Sequence, residues 1–179
     1  KVVLPAQKPR RTDAEVIEQC PWATTGRTHH RTPNIITSLE LDPAEMEKRN
    51  IHLQKKYAEI EENEVRFEEL HCEDAEYLIV AFGSCARIAQ KAMEMAREEG
   101  IKVGLLRPIT LWPFPSKAIA ARAAQVKGIL TVELNAGQMV EDVRLAVECK
   151  VPVEHFGRLG GIVPDPDEIV TALEEKIIK

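Results

Sequence analysis

The sequence predicts an α/β fold in three layers, with parallel strands in the middle layer and an N-terminal extension before it. From residue 77 onward, short and continuous apolar runs alternate with segments of helical character. Continuous apolar runs are typical of strands buried on both faces, and strand–helix–strand connections predict parallel strands with right-handed crossovers. Residues 1–73 are instead charged and punctuated by prolines, and the acidic run 59–76 is interpreted as a solvated helix face or a linker. We therefore assign 1–73 to a connector and 74–179 to the α/β domain.

The connector contains two helix signals. Thr12 and Glu15 have the spacing of a capping box, which predicts a short helix. A longer helix is predicted at about 43–62, because Asp42 is a favoured N-cap and Pro43 suits the first helical position. Its apolar side chains recur on one stripe, so we expect this helix to lie across another surface, of its own domain or of a partner. The stripe consists of Met46, Leu53, Tyr57 and Ile60.

The α/β part is a series of strand–helix units. Strands are predicted at 77–82, 101–106, 128–134 and 151–156. Helices are predicted at 84–99, at 116–125, from a cap at Asn135 to about 148, and at 166–178. Gly100 stands where a left-handed C-terminal cap would close the first of these helices. Asp165, Pro166 and Glu168 give the last helix an N-cap, a first-turn proline and a capping box.

The composition excludes several classes of function. Apolar residues make up 44% of the chain and aromatic residues only 4%, which predicts an aliphatic core. The net charge of −5 argues against nucleic-acid binding, because proteins that bind nucleic acids usually carry a basic patch. No stretch of about 18 apolar residues occurs, so no membrane span is expected. The chain starts with Lys1 and not with Met, from which we expect a piece of a longer polypeptide.

The spacing of cysteines and histidines does not indicate a metal centre. The four cysteines are Cys20, Cys72, Cys85 and Cys149. They form no Cys-x-x-Cys pair, which argues against an iron–sulfur or zinc site, and scattered reduced thiols are typical of a cytosolic protein. The adjacent His29 and His30 leave two interpretations open, ordinary loop residues and metal ligands.

Two glycine-containing junctions are weak candidates for anion binding. Gly83 and Ser84 stand between a strand and a helix, where the helix dipole attracts anions, but the glycine patterns of P-loops and dinucleotide-binding folds are absent. Two interpretations of this junction remain: a structural corner with Ser84 as N-cap, and an anion site. Cys85 beside it is a possible nucleophile without a neighbouring histidine. Arg158 and Gly160 follow the fourth strand, in a segment that forms either an anion-binding nest or a simple turn.

Two further loops contain candidate contact residues. Trp112 and Phe114 lie in a proline-stiffened loop, and we expect them either to plug the sheet edge or to anchor a subunit contact. Asn135 and Gln138 have the spacing of a capping box, while Glu133 ends the third strand, where ligand sites of α/β proteins gather. Helix capping and ligand binding both stay open for this segment. We assign no catalytic residue and no metal site.

Three stretches together resemble the C-terminal part of the alpha subunit of 2-oxoacid:ferredoxin oxidoreductases. They are 77–115, which ends in Leu-Trp-Pro-Phe-Pro, 132–147 with Asn-Ala-Gly-Gln-Met, and 157–169, Gly-Arg-Leu-Gly-Gly-Ile-Val-Pro-Asp-Pro-Asp-Glu-Ile. Residues 24–60 are similar to the connector that precedes this part in those subunits. Among the members, the sequence is most similar to the branched-chain type, which acts on 2-oxoisovalerate (3-methyl-2-oxobutanoate). The 2-oxoglutarate and pyruvate types are the alternatives.

The resemblance implies a fold and a set of partners. The fold is that of the transketolase C-terminal domain, a mostly parallel sheet with an antiparallel edge strand, which would come from the first part or the end of the chain. The holoenzyme would decarboxylate a 2-oxoacid on thiamine diphosphate and magnesium, reduce ferredoxin through iron–sulfur clusters, and form an acyl-CoA.

For this piece the resemblance implies assembly in the cytoplasm without a bound cofactor. Contacts with the other subunits and with a second copy would involve Trp112, Phe114, Asn135 and Gln138. A stand-alone nucleotide- or anion-binding module, and a small enzyme based on Cys85, are the other hypotheses.

Overall fold

A computed structural model describes residues 12–20, 22 and 37–179 of the chain. Two compact units are formed by residues 1–48 and 49–179. The first unit contains helix α1, Asp13–Gln19. At its start the predicted capping box is confirmed, because the Glu15 carboxylate accepts a hydrogen bond from the Thr12 N–H at 2.7 Å and Thr12 Oγ1 accepts one from the Glu15 N–H at 3.3 Å. Within the described residues, no helix is long and apolar enough to cross a membrane.

Helix α2, Pro43–Asn63, occupies the segment where the long connector helix is predicted. Asp42 caps it, since its Oδ1 accepts hydrogen bonds from the N–H groups of Ala44 and Glu45 at 2.8 and 3.1 Å. None of its residues is fully buried. The apolar stripe is therefore only partly covered, and Tyr57 keeps 39% of its surface exposed.

The second unit contains a five-stranded sheet in the order β1-β3-β2-β4-β5. The strands are β1 Phe67–Leu70, β2 Tyr77–Ala81, β3 Val103–Pro108, β4 Ile129–Glu133 and β5 Val153–Gly157. β1 pairs antiparallel with β3, while the other neighbouring strands are parallel. This topology confirms the predicted α/β class with a mostly parallel sheet.

The antiparallel edge strand β1 lies within the acidic run, so the interpretation of that run as helix face or linker is wrong for these four residues. It precedes residue 74, in the part of the chain assigned to the connector. Phe-Glu-Glu-Leu contains too few apolar residues to stand out, and an edge strand tolerates charges because one of its sides is unpaired. Two ion pairs hold it: Arg107 Nη1 lies 2.8 Å from Glu68 Oε2, and Arg122 Nη2 lies 2.6 Å from Glu69 Oε2.

Helices cover both faces of the sheet and complete the three predicted layers. They are α3 Gly83–Glu98, α4 Ser116–Ala123, α5 Met139–Val147 and α6 Pro166–Leu173, the last continued by a π-helical turn, Glu174–Ile178. α3 and α6 pack together on one face, and α4 and α5 on the other. Both cores are aliphatic, as the low aromatic content predicts; Ile79 and Leu173 are buried on the first face, and Leu106 and Ile119 on the second.

Two predictions about helix ends are confirmed. Gly100 has a φ of +89°, and the following Ile101 N–H donates to the Ala96 carbonyl at 2.9 Å, which closes α3. At the start of α6, Asp165 and Glu168 form a capping box in which Glu168 Oε2 accepts a hydrogen bond from the Asp165 N–H at 3.0 Å. Local sequence patterns are therefore sufficient to locate these two ends.

Candidate functional site

The four candidate segments all follow parallel strands, and the sheet brings them to one edge. They are residues 82–84 after β2, 109–115 after β3, 134–138 after β4 and 158–161 after β5. We call this the carboxyl edge. β2 and β4 are neighbours, but β2 leads to α3 on one face and β4 leads to α5 on the other. This divergence is the switch point at which α/β sheets open a crevice for ligands.

The most tightly constructed element of the carboxyl edge is the Glu133 carboxylate, which ends β4 and is fully buried. Its Oε2 accepts hydrogen bonds from the N–H groups of Gln138 and Met139 at 3.2 and 2.9 Å, and its Oε1 accepts one from Val140 N–H at 3.0 Å. The carboxylate thus satisfies N–H groups that the first turn of a helix leaves without partners. Glu133 is therefore the cap of α5.

The predicted capping box of Asn135 and Gln138 is wrong. Gln138 occupies the N-cap position, but its side chain makes no capping hydrogen bond. Asn135 Oδ1 instead accepts a hydrogen bond from the Gly137 N–H at 2.7 Å, within the loop. The amide donors that a capping box would use already face Glu133, and this occupancy favours helix capping over ligand binding for the segment.

His155 is a candidate residue that sequence reasoning misses. It lies on β5, opposite Thr131 of β4, with its Nε2 3.8 Å from Glu133 Oε1. This Nε2 is buried and, within the described part of the chain, has no hydrogen-bond partner. The ring is close to Gly157, where an added Cβ would lie 2.6 Å from Cε1. Desolvation lowers the pKa of His155, and the Glu133 carboxylate opposes this shift. β5 also contains Glu154, so a polar residue in this strand is not by itself a signal that distinguishes His155.

The junction after β2 has a different construction. The N-cap of α3 is Phe82, Gly83 has a φ of +58°, and Ser84 is exposed in the first turn. The prediction of Ser84 as N-cap is wrong, because the chain enters the helix through the left-handed conformation of Gly83, which moves the cap to the preceding residue. Burial, followed by the charge of Glu133, raises the pKa of Cys85. Its thiol is therefore protonated at neutral pH, which argues against a nucleophilic role.

The segment after β5 is more like a turn than a prepared anion site. Arg158 Nη1 lies 3.0 Å from Glu168 Oε1, so its guanidinium is paired with the carboxylate of the α6 capping box. Gly160 and Gly161 are exposed and have φ values of +64° and +85°. These conformations favour glycine and explain the turn without a ligand.

The loop after β3 places its two aromatic residues in different environments. Phe114 is half-buried and packs against the core on the α4 and α5 face. Trp112 is 54% exposed and meets Tyr57 of α2 edge-to-face, with ring centroids 5.6 Å apart. The loop is fixed by Thr110, whose Oγ1 donates to the Pro113 carbonyl at 2.8 Å. Phe114 thus fits the plug hypothesis, whereas Trp112 is available for a contact.

A groove of about 950 Å³ separates this loop from the C-terminal half of α2. Ala58, Val65 and Phe67 line it on the α2 and β1 side, and Trp112, Phe114 and Ala118 on the other. Asn135 and Gln138 do not line it, so the four predicted contact residues share an edge but not a single pocket.

No group of three or more His, Cys, Asp or Glu side chains in the described ranges has the arrangement of a metal site. His29 and His30, for which metal binding stays open, lie outside the described residues. Cys72 and Cys85 belong to the cores on opposite faces of the sheet. The sheet therefore separates these thiols, which do not fit a shared cluster.

Comparison with protein families gives a match over most of the α/β part. The profile described as "Pyruvate:ferredoxin oxidoreductase core domain II" matches residues 75–169.

Similar curated proteins are subunits of 2-oxoacid oxidoreductases. The chain is 44% identical over 171 residues to "Ketoisovalerate oxidoreductase subunit VorB" of Methanothermobacter thermautotrophicus, which covers 94% of the chain and 48% of that protein. It is 32% identical over 143 residues to "2-oxoglutarate synthase subunit KorA" of Archaeoglobus fulgidus, covering 78% and 40% respectively. The chain thus spans about half, or less, of the length of the curated relatives it matches.

Solved structures give the same fold. The 2-oxoglutarate:ferredoxin oxidoreductase from Magnetococcus marinus, with 2-oxoglutarate, coenzyme A and succinyl-CoA bound, superposes with a TM-score of 0.66 at 27% identity, covering 76% of this chain and 24% of that one. A split-gene transketolase, an inactive beta4 tetramer, superposes with a TM-score of 0.55 at 20% identity over 63% of this chain and 41% of that one. The second match confirms the transketolase-like fold.

Proposed function

Because the chain belongs to the family of pyruvate:ferredoxin oxidoreductase core domain II, we propose that it is the C-terminal part of the alpha subunit of a thiamine diphosphate-dependent 2-oxoacid:ferredoxin oxidoreductase. The complete enzyme would oxidatively decarboxylate a 2-oxoacid to an acyl-CoA and reduce ferredoxin. The observation that carries this proposal is the similarity to the ketoisovalerate subunit, which extends over the connector as well as the domain.

The proposed substrate is 2-oxoisovalerate. The identity with the ketoisovalerate relative is higher and covers more of the chain than the identity with the 2-oxoglutarate synthase relative. 2-Oxoglutarate and pyruvate are the competing substrates that an assay must include.

The proposed role of this part is assembly, in a cytoplasmic enzyme. Trp112, Phe114, Asn135 and Gln138 are proposed to contribute to subunit contacts along the carboxyl edge, with the other subunits and with a second copy. Glu133 is buried and caps a helix, and the pKa of Cys85 is raised. Both observations favour a structural role for these residues over a catalytic one. Thiamine diphosphate, magnesium and the iron–sulfur clusters are proposed to be held elsewhere in the enzyme. Among the described residues, no group of three or more His, Cys, Asp or Glu side chains is arranged to hold a metal ion.

The test is to purify the native assembly that contains this chain under anaerobic conditions, with an affinity tag on the chain. Mass spectrometry identifies the co-purifying subunits, and CoA-dependent reduction of ferredoxin is measured with each of the three 2-oxoacids. We expect co-purification of further subunits and the highest kcat/KM with 2-oxoisovalerate.

Other outcomes would refute parts of the proposal. A higher kcat/KM with 2-oxoglutarate or pyruvate would refute 2-oxoisovalerate as the substrate, while the proposed enzyme class would stand. A chain that purifies alone, without oxoacid activity, but binds a nucleotide would favour the stand-alone binding module.

A further inference from the structure

The groove between α2 and the Trp112 loop has a rigid apolar floor. Trp112 contacts Tyr57 edge-to-face, and its loop is tied to the residue before β1, where the Arg66 N–H donates to Thr110 Oγ1 at 3.0 Å. Phe67 lies beside it and is 39% exposed. Aromatic side chains fixed in a concave surface lose little entropy on binding, which is the property of interface anchors.

The rim of this groove is acidic on the α2 side. Glu61 and Glu62 line it there, and Lys117 lines the opposite side. Both glutamates are exposed, and within the described residues neither forms an ion pair. The groove therefore combines an apolar floor with unpaired negative charge along one wall.

From this combination we infer that the groove binds an extended apolar segment of another subunit, with a Lys or Arg side chain placed beside Glu61 and Glu62. Extended segments bind in aromatic-lined grooves, and the exposed carboxylates of Glu61 and Glu62 supply the negative charge that a Lys or Arg side chain complements. The inference rests on the proposed function, which supplies the other subunits, and it deepens that function by naming the surface and the chemistry of the partner.

A second copy of this chain fits the groove less well. In a two-fold dimer the same patch faces itself, so Glu61 and Glu62 of both copies would approach each other. Like charges in such a contact are costly, and two concave surfaces that face each other leave a gap between them. The charge and the shape both favour a different polypeptide as the occupant.

The experiment is photo-crosslinking in the native assembly. Trp112 is replaced by p-benzoylphenylalanine, the purified assembly is irradiated, and the crosslinked peptides are sequenced by mass spectrometry. The matched control carries the same label at Leu145, which is 76% exposed on α5 and does not line the groove. We expect the Trp112 label, and not the Leu145 label, to capture a peptide of another subunit that contains apolar residues next to Lys or Arg.

A charge reversal tests the electrostatic part in the same assembly. Glu61→Lys with Glu62→Lys changes only exposed side chains, so the fold should be retained, and circular dichroism checks this. We expect retention of the partner subunit to weaken about tenfold or more at low salt, and the difference from the unaltered chain to shrink as salt rises.

Each other result overturns the inference. Crosslinks within the chain, to a second copy of it, or to no peptide at all would assign the groove another role, as would unchanged retention after charge reversal. Oxoacid activity of the unlabelled assembly is measured separately. If that activity is absent, the proposed function fails whatever the crosslinks show; if it is present, a negative crosslink counts against the groove alone.

Discussion

The two helices that begin at the switch point, α3 and α5, start in opposite ways. α5 begins over a buried carboxylate that belongs to the preceding strand and receives three backbone N–H groups. α3 begins without any side-chain cap, at a glycine in the left-handed conformation, with Ser84 exposed. The difference teaches that the β4–α5 junction is built for rigidity, whereas the β2–α3 junction is a simple corner. Substitutions at the two junctions should therefore have very different effects.

The largest effect is expected for Glu133→Ala. The substitution leaves three N–H groups without their acceptor in a buried site, which should lower the free energy of unfolding by about 3–5 kcal/mol. Thermal unfolding followed by circular dichroism measures this as a decrease in Tm of about 10 °C. The matched control is Glu141→Ala, an exposed carboxylate in the first turn of the same helix. Equal stability losses in the two variants would refute the special role of Glu133.

Gly157→Ala should have the next largest effect. An added Cβ would overlap the Asn135 carbonyl oxygen and approach the His155 ring at 2.6 Å, so the β4–α5 loop would have to move. We expect a loss of about 2–3 kcal/mol in urea unfolding. In the control Gly128→Ala, the new Cβ meets the Cγ2 methyl of Ile177 at 2.7 Å, which is a side-chain atom of the C-terminal π-helical turn and not a backbone atom. The control should therefore lose less, and the reverse order would contradict this account of the loop.

Glu168→Ala tests a cap that is exposed and local. It removes the acceptor of the Asp165 N–H and the ion-pair partner of Arg158. Because these groups stay in contact with water after the change, we expect a loss of about 1 kcal/mol. Glu168→Gln keeps an acceptor without the charge and should retain part of the stability. A loss as large as that of Glu133→Ala would mean that burial is not what separates the two caps.

The pH dependence that His155 contributes should be smaller still. Its pKa is lowered in the folded state, chiefly by desolvation, with Lys176 and Arg144 adding to the shift and Glu133 opposing it. Above the ordinary pKa of histidine, the residue is neutral in both folded and unfolded states. As the pH falls below that value, the unfolded state takes up the proton first, so the free energy of unfolding decreases.

Comparison with His155→Gln isolates this contribution. The stability of the unaltered chain relative to the variant should decline between about pH 7 and pH 5, measured by urea unfolding at each pH. A relative stability that increases on acidification would mean that the Glu133 carboxylate dominates and raises the pKa of His155 instead.

The smallest effect is expected for Ser84→Ala. The hydroxyl is exposed and makes no capping hydrogen bond, so the free energy of unfolding should change by less than about 0.5 kcal/mol. A loss near 1 kcal/mol would restore Ser84 as an N-cap and remove the contrast between the two junctions.

The sequence was sufficient for the parts of the fold that repeat a regular pattern. Three of the four parallel strands, β2, β3 and β4, are largely apolar runs, and the ends of α3 and α6 carry their signals within a few residues, as Gly100 and Glu168 illustrate. The resemblance implies an antiparallel edge strand from the first part or the end of the chain, and β1 confirms the first of these, but no pattern locates it because its pairing with β3 is what makes it a strand. Its own residues, half of them charged, do not distinguish it from a linker.

For the candidate site, too, the sequence predicts some features and not others. Its location at the carboxyl edge follows from the strand–helix pattern alone. The role of Glu133 does not, because the N–H groups that donate to its carboxylate lie beyond a loop whose course must be known, and a local rule selects Asn135 instead. The pairing of His155 with Glu133 depends on the register of β4 and β5, which no spacing within either strand reveals.

The antiparallel direction of β1 has a practical consequence. Phe67 pairs with Pro108, so the chain enters the sheet at the edge where the contact loops lie. The turn before β5 lies at the opposite edge, where the parallel strands begin, and contains Cys149. The Cys149 thiol is exposed, whereas Cys72 and Cys85 are buried and Cys20 is partly covered. A maleimide reagent should therefore modify Cys149 preferentially. Immobilised through it on a sensor chip, the molecule would present its contact loops to the flowing analyte.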